Sequence, residues 1–215
     1  LFVHLLIPFI RSDLLPFHPL LVLTYVLLLM MSANPFAFGG EQRSVLLLLS
    51  VFSTSFLIPA LGVVLMKPLG LIKALEMRDK QERIGPYIVC GVFYLWLYKN
   101  FMGGMVPELY TKFTLGACIA LFLAFFINIF SKVSMYATGM GSLIAMIMIL
   151  AFAWPGYAVS VGQVRLSLNL VLAITIIIAG LVGYLTMRNT DHEYRDIWRG
   201  YQAGFVAILI GYWLG

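Results

Sequence analysis

The chain has 215 residues, of which 62% are hydrophobic and only 11% charged, with a mean hydropathy of +0.98. Soluble globular domains carry about 25% charged residues, so this composition excludes a soluble fold and reads as a polytopic helical membrane protein. Lys and Arg number 14 against 9 Asp and Glu; confined to short connections between apolar stretches, that excess suits anionic lipid head groups or a phosphorylated ligand and excludes nucleic acid as a partner.

The chain begins at Leu1 rather than Met, so residues ahead of it are expected. The run 1–10 is too short to span and is expected to lie at the membrane interface, ended by Arg11 and Asp13. His18-Pro19 opens a first span over 14–31. A turn punctuated by Pro35, Gly39 and Gly40 leads to a second span over 44–66, in which Pro59 and Gly62 predict a kink. The polar connection 67–86 interleaves Lys67, Lys73, Arg78, Lys80 and Arg83 with Leu69, Leu71, Ile72, Leu75 and Met77, a pattern that predicts an interfacial amphipathic helix in part of it. Further spans are expected over 87–106, 113–130, 133–153, 166–187 and 198–215, with a plain loop through Arg165. Cys90 and Cys118 fall inside apolar runs and read as small core residues, not as a disulfide or metal pair. The expected architecture is all-α: one membrane domain, 1–215, with two spans in 14–66, the polar loop 67–86, and the remaining spans in 87–215. That is a bundle of about six to seven crossings.

Counting crossings places three polar stretches on one side of the membrane: the long loop, Lys132 with the start of the fifth span, and the cluster 188–199. Ten of the Lys and Arg residues fall on that side and four, Arg43, Lys99, Lys112 and Arg165, on the other. The positive-inside rule assigns the richer side to the cytoplasm, unless those charges are there to build a phosphate site.

The cluster reads Arg188-Asn-Thr-Asp-His192-Glu-Tyr-Arg-Asp196-Ile-Trp-Arg199. So many ionisable groups must lie at the membrane surface or in a polar cavity. His192 and Asp196 are four apart, which on a helix puts them on one face. A histidine oriented by a carboxylate suits a nucleophile or base, and flanking arginines suit a phosphate. The alternatives are a structural polar pair at a helix end and a metal site using Asp191, His192 or Glu193. No metal or cofactor is expected, since His4 and His18 are the only other histidines and no Cys lies nearby. The Gly200 and Gly204 pair has the small-residue spacing of closely packed membrane helices.

His192-Glu-Tyr-Arg-Asp196 resembles the His-three residues-Asp part of the third signature of the type 2 phosphatidic acid phosphatase superfamily. That family's first signature, Lys-six residues-Arg-Pro, is echoed by 79–86, and its second, Pro-Ser-Gly-His, by Ser134-Met135-Tyr136. The early His18-Pro19-Leu20-Leu21 and the Lys132-Val133-Ser134 start of the fifth span resemble a divergent bacterial branch of integral-membrane members. The resemblance implies His192 as nucleophile, Asp196 as its orienting carboxylate, Tyr136 at the general-acid position, and Lys80, Arg83 and Arg188 as phosphate ligands. It implies a phospholipid or polyprenyl diphosphate substrate and a bacterial inner membrane. The departures are Tyr136 for the second-signature His, Thr186 for the third-signature Arg, and Glu76 where the first signature has Lys. They leave a second expectation open: a degenerate relative serving as a structural or binding subunit among partner membrane proteins. A small transporter is a weaker third, since no internal repeats or paired interrupted spans accompany Pro59 and Gly62.

Overall fold

A computed structural model describes residues 14–72, 81–190 and 192–215. Most of the expected amphipathic helix, Lys80, and the run 1–10 lie outside the described residues. The described chain is all-α apart from one hairpin. In order come α1 (Val22–Ala33, led by a 3-10 turn at Pro19–Leu21), α2 (Glu41–Met66), α3 (Ile84–Phe101), α4 (Glu108–Phe130), α5 (Met135–Ala153), β1 (Ala158–Val161), β2 (Val164–Ser167), α6 (Leu168–Asn189) and α7 (Tyr194–Leu214). Four of these, α2, α4, α5 and α6, are long and apolar enough to cross a membrane. The tyrosines, Lys99 and Asn100 dilute α3, and Arg195, Asp196 and Arg199 load the first turns of α7.

The helix boundaries follow from local chemistry. Ser134 caps α5 by accepting from the Ala137 N–H at 3.3 Å, and Ser167 caps α6 by accepting from Leu170 at the same distance. Pro59 has no N–H to bond the Ser55 carbonyl, and α2 answers with a π-helical turn over Ser53–Leu57. Where a plain loop was expected around Arg165, β1 and β2 pair antiparallel around the two-residue turn Gly162-Gln163. Gly162 stands at φ 61°, a backbone region open to glycine at no steric cost.

The short helix α1 is the axis of the core. Leu23, Leu27 and Met30 are wholly buried, and the Tyr110 hydroxyl of α4 donates to the Leu23 carbonyl at 3.0 Å. Twelve helical residues rise only about 18 Å, well short of a hydrocarbon layer near 30 Å. The hairpin closes the far end, with Val159 buried in the same core cluster.

α7 lies in the groove between α4 and α5, close enough that only glycine fits at the crossings. A Cβ on Gly200 would stand 2.7 Å from the Ser134 carbonyl oxygen, and one on Gly204 would collide with that of Thr138. Small residues let membrane helices approach this closely. The packing brings the start of α7 against the start of α5. Its far end reaches Lys112, whose ammonium lies 5.5 Å from the centre of the Tyr212 ring.

Candidate functional site

The start of α7 is organised by a capping box. Asp196 accepts from the Glu193 N–H at 3.2 Å, while the Glu193 side chain accepts from the Asp196 N–H. The helix therefore begins at Tyr194, and His192 sits in the turn before it rather than on its face. The two side chains still meet: His192 Nδ1 lies 3.5 Å from Asp196 Oδ2. That separation is at the outer edge of hydrogen bonding, and the geometry makes no bond; Nδ1 is buried without a hydrogen-bond partner among the described residues. The imidazole is only 10% exposed and the carboxylate 9%. Arg199 approaches the other carboxylate oxygen at 3.9 Å.

Two further segments close on this pair. The Ser134 N–H donates to the Asp196 carbonyl at 3.2 Å, joining the start of α5 to the start of α7. One residue earlier, the Val133 carbonyl accepts from Arg83 Nη1 at 3.5 Å, drawing in the turn before α3. Val133 and Ser134 are fully buried. Burial, and then the positive charge of Arg83, push the His192 imidazole below its ordinary range; Asp196 opposes the shift and Lys132 adds to it. The imidazole is neutral near pH 7, the form that carries a lone pair for nucleophilic attack.

His192, Asp196 and Arg83 thus stand together, and Lys80 lies outside the described residues. Arg188 is exposed near the end of α6 and is not among the charges acting on His192. Thr186 is buried and donates its hydroxyl to its own helix, to the Val182 carbonyl at 2.7 Å. Tyr136, in the first turn of α5, packs its ring edge-on against His18 with centroids 6.0 Å apart, beside Met140, Ala179 and Val182. His18 itself caps the 3-10 turn, its Nδ1 accepting from Leu20 at 3.4 Å. Lys132 and Arg199 joined the cluster without having been singled out from the sequence as ligands. The signal for Lys132 was its position two residues ahead of Ser134. Among the described residues no group of three or more His, Cys, Asp or Glu is arranged to hold a metal ion.

A neutral, largely buried imidazole facing a carboxylate on one side and flanked by cations can attack an electrophile and stabilise negative charge formed on it. Comparison with protein-family models, curated proteins and solved structures found no match to this chain.

Proposed function

We propose that the chain is an integral-membrane phosphoryl-handling protein of the type 2 phosphatidic acid phosphatase kind, acting on a lipid phosphate or diphosphate. The observation that carries this reading is the arrival of Arg83, from the turn before α3, beside the His192–Asp196 pair at the start of α7. An arginine delivered to a neutral histidine from another part of the chain is what a phosphoryl group needs: a nucleophile and a charge-assisted donor on the same phosphorus. In this reading α1 together with the 3-10 turns ahead of it (15–33), α3 and α7 join the four long apolar helices to give seven crossings of a bacterial inner membrane.

Asp196 Oδ2, 3.5 Å from Nδ1, would close on substrate binding to hold Nδ1–H, leaving Nε2 to attack phosphorus. The P–N bond forms as the P–O bond to the lipid breaks, and the electron pair leaves on that oxygen. Water then attacks the phosphohistidine, the P–N bond returns its electrons to Nε2, and orthophosphate departs. Arg83, with Lys80 and Arg188, offsets the charge on the equatorial oxygens. By the resemblance Tyr136 takes the general-acid position, with its ring packed against His18. A phenol with an ordinary pKa near 10 is a weak acid for this task, and a missing general acid costs about 10²–10⁴ in rate. A diphosphate loses less, because its leaving phosphate needs no proton.

Two contacts favour the second reading, a degenerate relative acting as a subunit with partner membrane proteins. The Asp196 carboxylate already serves the capping box, and Tyr136 packs against His18. Phosphate release separates the two. Purified protein in detergent is given phosphatidic acid, phosphatidylglycerol phosphate and a polyprenyl diphosphate, alongside His192→Ala. Release that vanishes in the variant is the expected result; folded native protein silent on all three would leave the subunit reading.

A further inference from the structure

We infer that Tyr87 is a positioning residue of this site: its hydroxyl ties the first turn of α3 to the start of α5 and so fixes Arg83 in relation to the His192–Asp196 pair. The tie stands on hydrogen-bond geometry; its consequence for turnover rests on the phosphoryl reading and deepens it.

Arg83, in the turn before α3, and Tyr87, in the first turn of α3, have the four-residue spacing that puts two side chains on one side of a helix. Both reach the same short segment. Arg83 Nη1 donates to the Val133 carbonyl at 3.5 Å, and the Tyr87 hydroxyl donates to the Met135 sulfur at 3.0 Å. Between those two residues, Ser134 gives its N–H to the Asp196 carbonyl at 3.2 Å. Residues 133–135 therefore join the start of α3 to the start of α7, where Asp196 faces His192. The Arg83 contact is long for a hydrogen bond. Two points of attachment fix the angle of α3 against this segment better than either alone, and small misplacements of a charged donor are costly in a reacting complex.

The acceptor of Tyr87 shows what its hydroxyl is for. Tyr94 and Tyr110, also buried, donate to main-chain carbonyls of Leu20 and Leu23. Tyr87 is 5% exposed and its ring meets Phe125 edge-on at 5.8 Å, yet its hydroxyl goes to a thioether, a weak acceptor. A thioether left without its donor costs a core little, whereas a buried hydroxyl left without an acceptor costs more. Removing the hydroxyl loosens the tie and spares the fold; removing the sulfur harms both.

Tyr87→Phe, Met135→Leu and the double variant of the full chain in detergent test this. Phosphate release is followed on unlabelled protein with the three lipids named above. In a second set, nitroxides on Ile84→Cys and Tyr194→Cys, both exposed positions, report the separation of α3 from α7; Cys90 and Cys118 are buried. Each single variant is expected to lower kcat about threefold to tenfold, the worth of one hydrogen bond. KM stays near native, since alignment in the transition state is what is lost. The double variant is no slower than the slower single one, as one shared interaction requires. The distance distribution broadens or shifts in all three. Met135→Leu melts lower than Tyr87→Phe, and the double variant regains part of that difference. Native kcat with an unchanged distribution in folded Tyr87→Phe overturns the inference. Losses that add in the double variant overturn it too, because they mark two independent packing residues. Native protein silent on every lipid, with a shifted distribution in Tyr87→Phe, supports the tie and removes the phosphoryl reading; silence with an unchanged distribution removes both.

Discussion

At His192 two opposing influences decide the chemistry. Burial and the cations favour the neutral ring, and the carboxylate 3.5 Å away favours the charged one; the first pair wins. The consequence for pH has a definite sign. With a native pKa below the ordinary value near 6.5, the folded state binds fewer protons than the unfolded one as pH falls through that region. Stability contributed by His192 is therefore complete above about 6.5 and declines as pH drops toward the native pKa. The nucleophilic form survives over the same interval. The acid limb of any His192-dependent turnover is expected below pH 6.5, and a pH–rate profile checks it; a limb centred above 6.5 would contradict the burial argument. Asp196 carries two duties that a pair of substitutions can separate. Asp196→Asn keeps a cap acceptor and removes the charge beside Nδ1, so melting temperature should hold while phosphate release falls. Asp196→Ala also removes the cap, adding about 1 kcal/mol of destabilisation, read by thermal unfolding in detergent. If the two variants melt alike, the capping box contributes nothing.

At the scale of the element, α7 is the part whose sequence and structure agree most closely. The spacing of Gly200 and Gly204 announced a close crossing, and the partner is the first turns of α5, with Gly141 lying against Tyr201 in return. Gly204→Ala should therefore destabilise the bundle by about 1–3 kcal/mol, the usual cost of overpacking, despite the better helix propensity of alanine. Unfolding in mixed detergent micelles would show it, and a stabilised variant would mean the helices can part freely. Other elements were legible only in part. Pro59 predicted a disturbance in α2, and the chain answers it with a π-helical turn, because neighbouring residues can share the freed carbonyl without a sharp break. The hairpin after α5 was not legible: four-residue strands with an exposed outer face carry little periodic signal, and Gly162-Gln163 is a weak turn mark. At the site, the His192–Asp196 spacing was readable, yet it suggested a shared helix face. The helix starts later because Glu193 and Asp196 form a capping box, a competition between local caps that spacing alone does not resolve.

For the whole molecule, the apolar runs coincide with the helices α1 to α7 among the described residues. What they did not reveal is which segments cross unaided. α1 is short and sheathed by its neighbours, whereas α6 turns much of its surface outward, with Ile177 at 73% and Tyr184 at 55% exposure. The proposed seven crossings would put Lys132 and Arg188 on one face of the membrane and Arg43 and Arg165 on the other. Cysteines placed singly at these four positions should label with a membrane-impermeant maleimide in two opposite sets in intact cells. Labelling of all four from one side would remove the odd number of crossings.

The bond between Ser134 and Asp196 is made by main-chain atoms, and the Val133 end of the Arg83 contact is main-chain as well. A substitution at Ser134, Asp196 or Val133 alters side-chain chemistry without deleting the backbone groups that hold these segments together. These two main-chain contacts are thus insulated from side-chain changes, whereas the Ser134 and Asp196 side chains also cap α5 and α7. Under the proposed phosphoryl reading, a lineage built this way can mislay its catalyst while keeping the cradle intact, and such a cradle of fixed shape is ready material for a receptor of phosphate that no longer cleaves it.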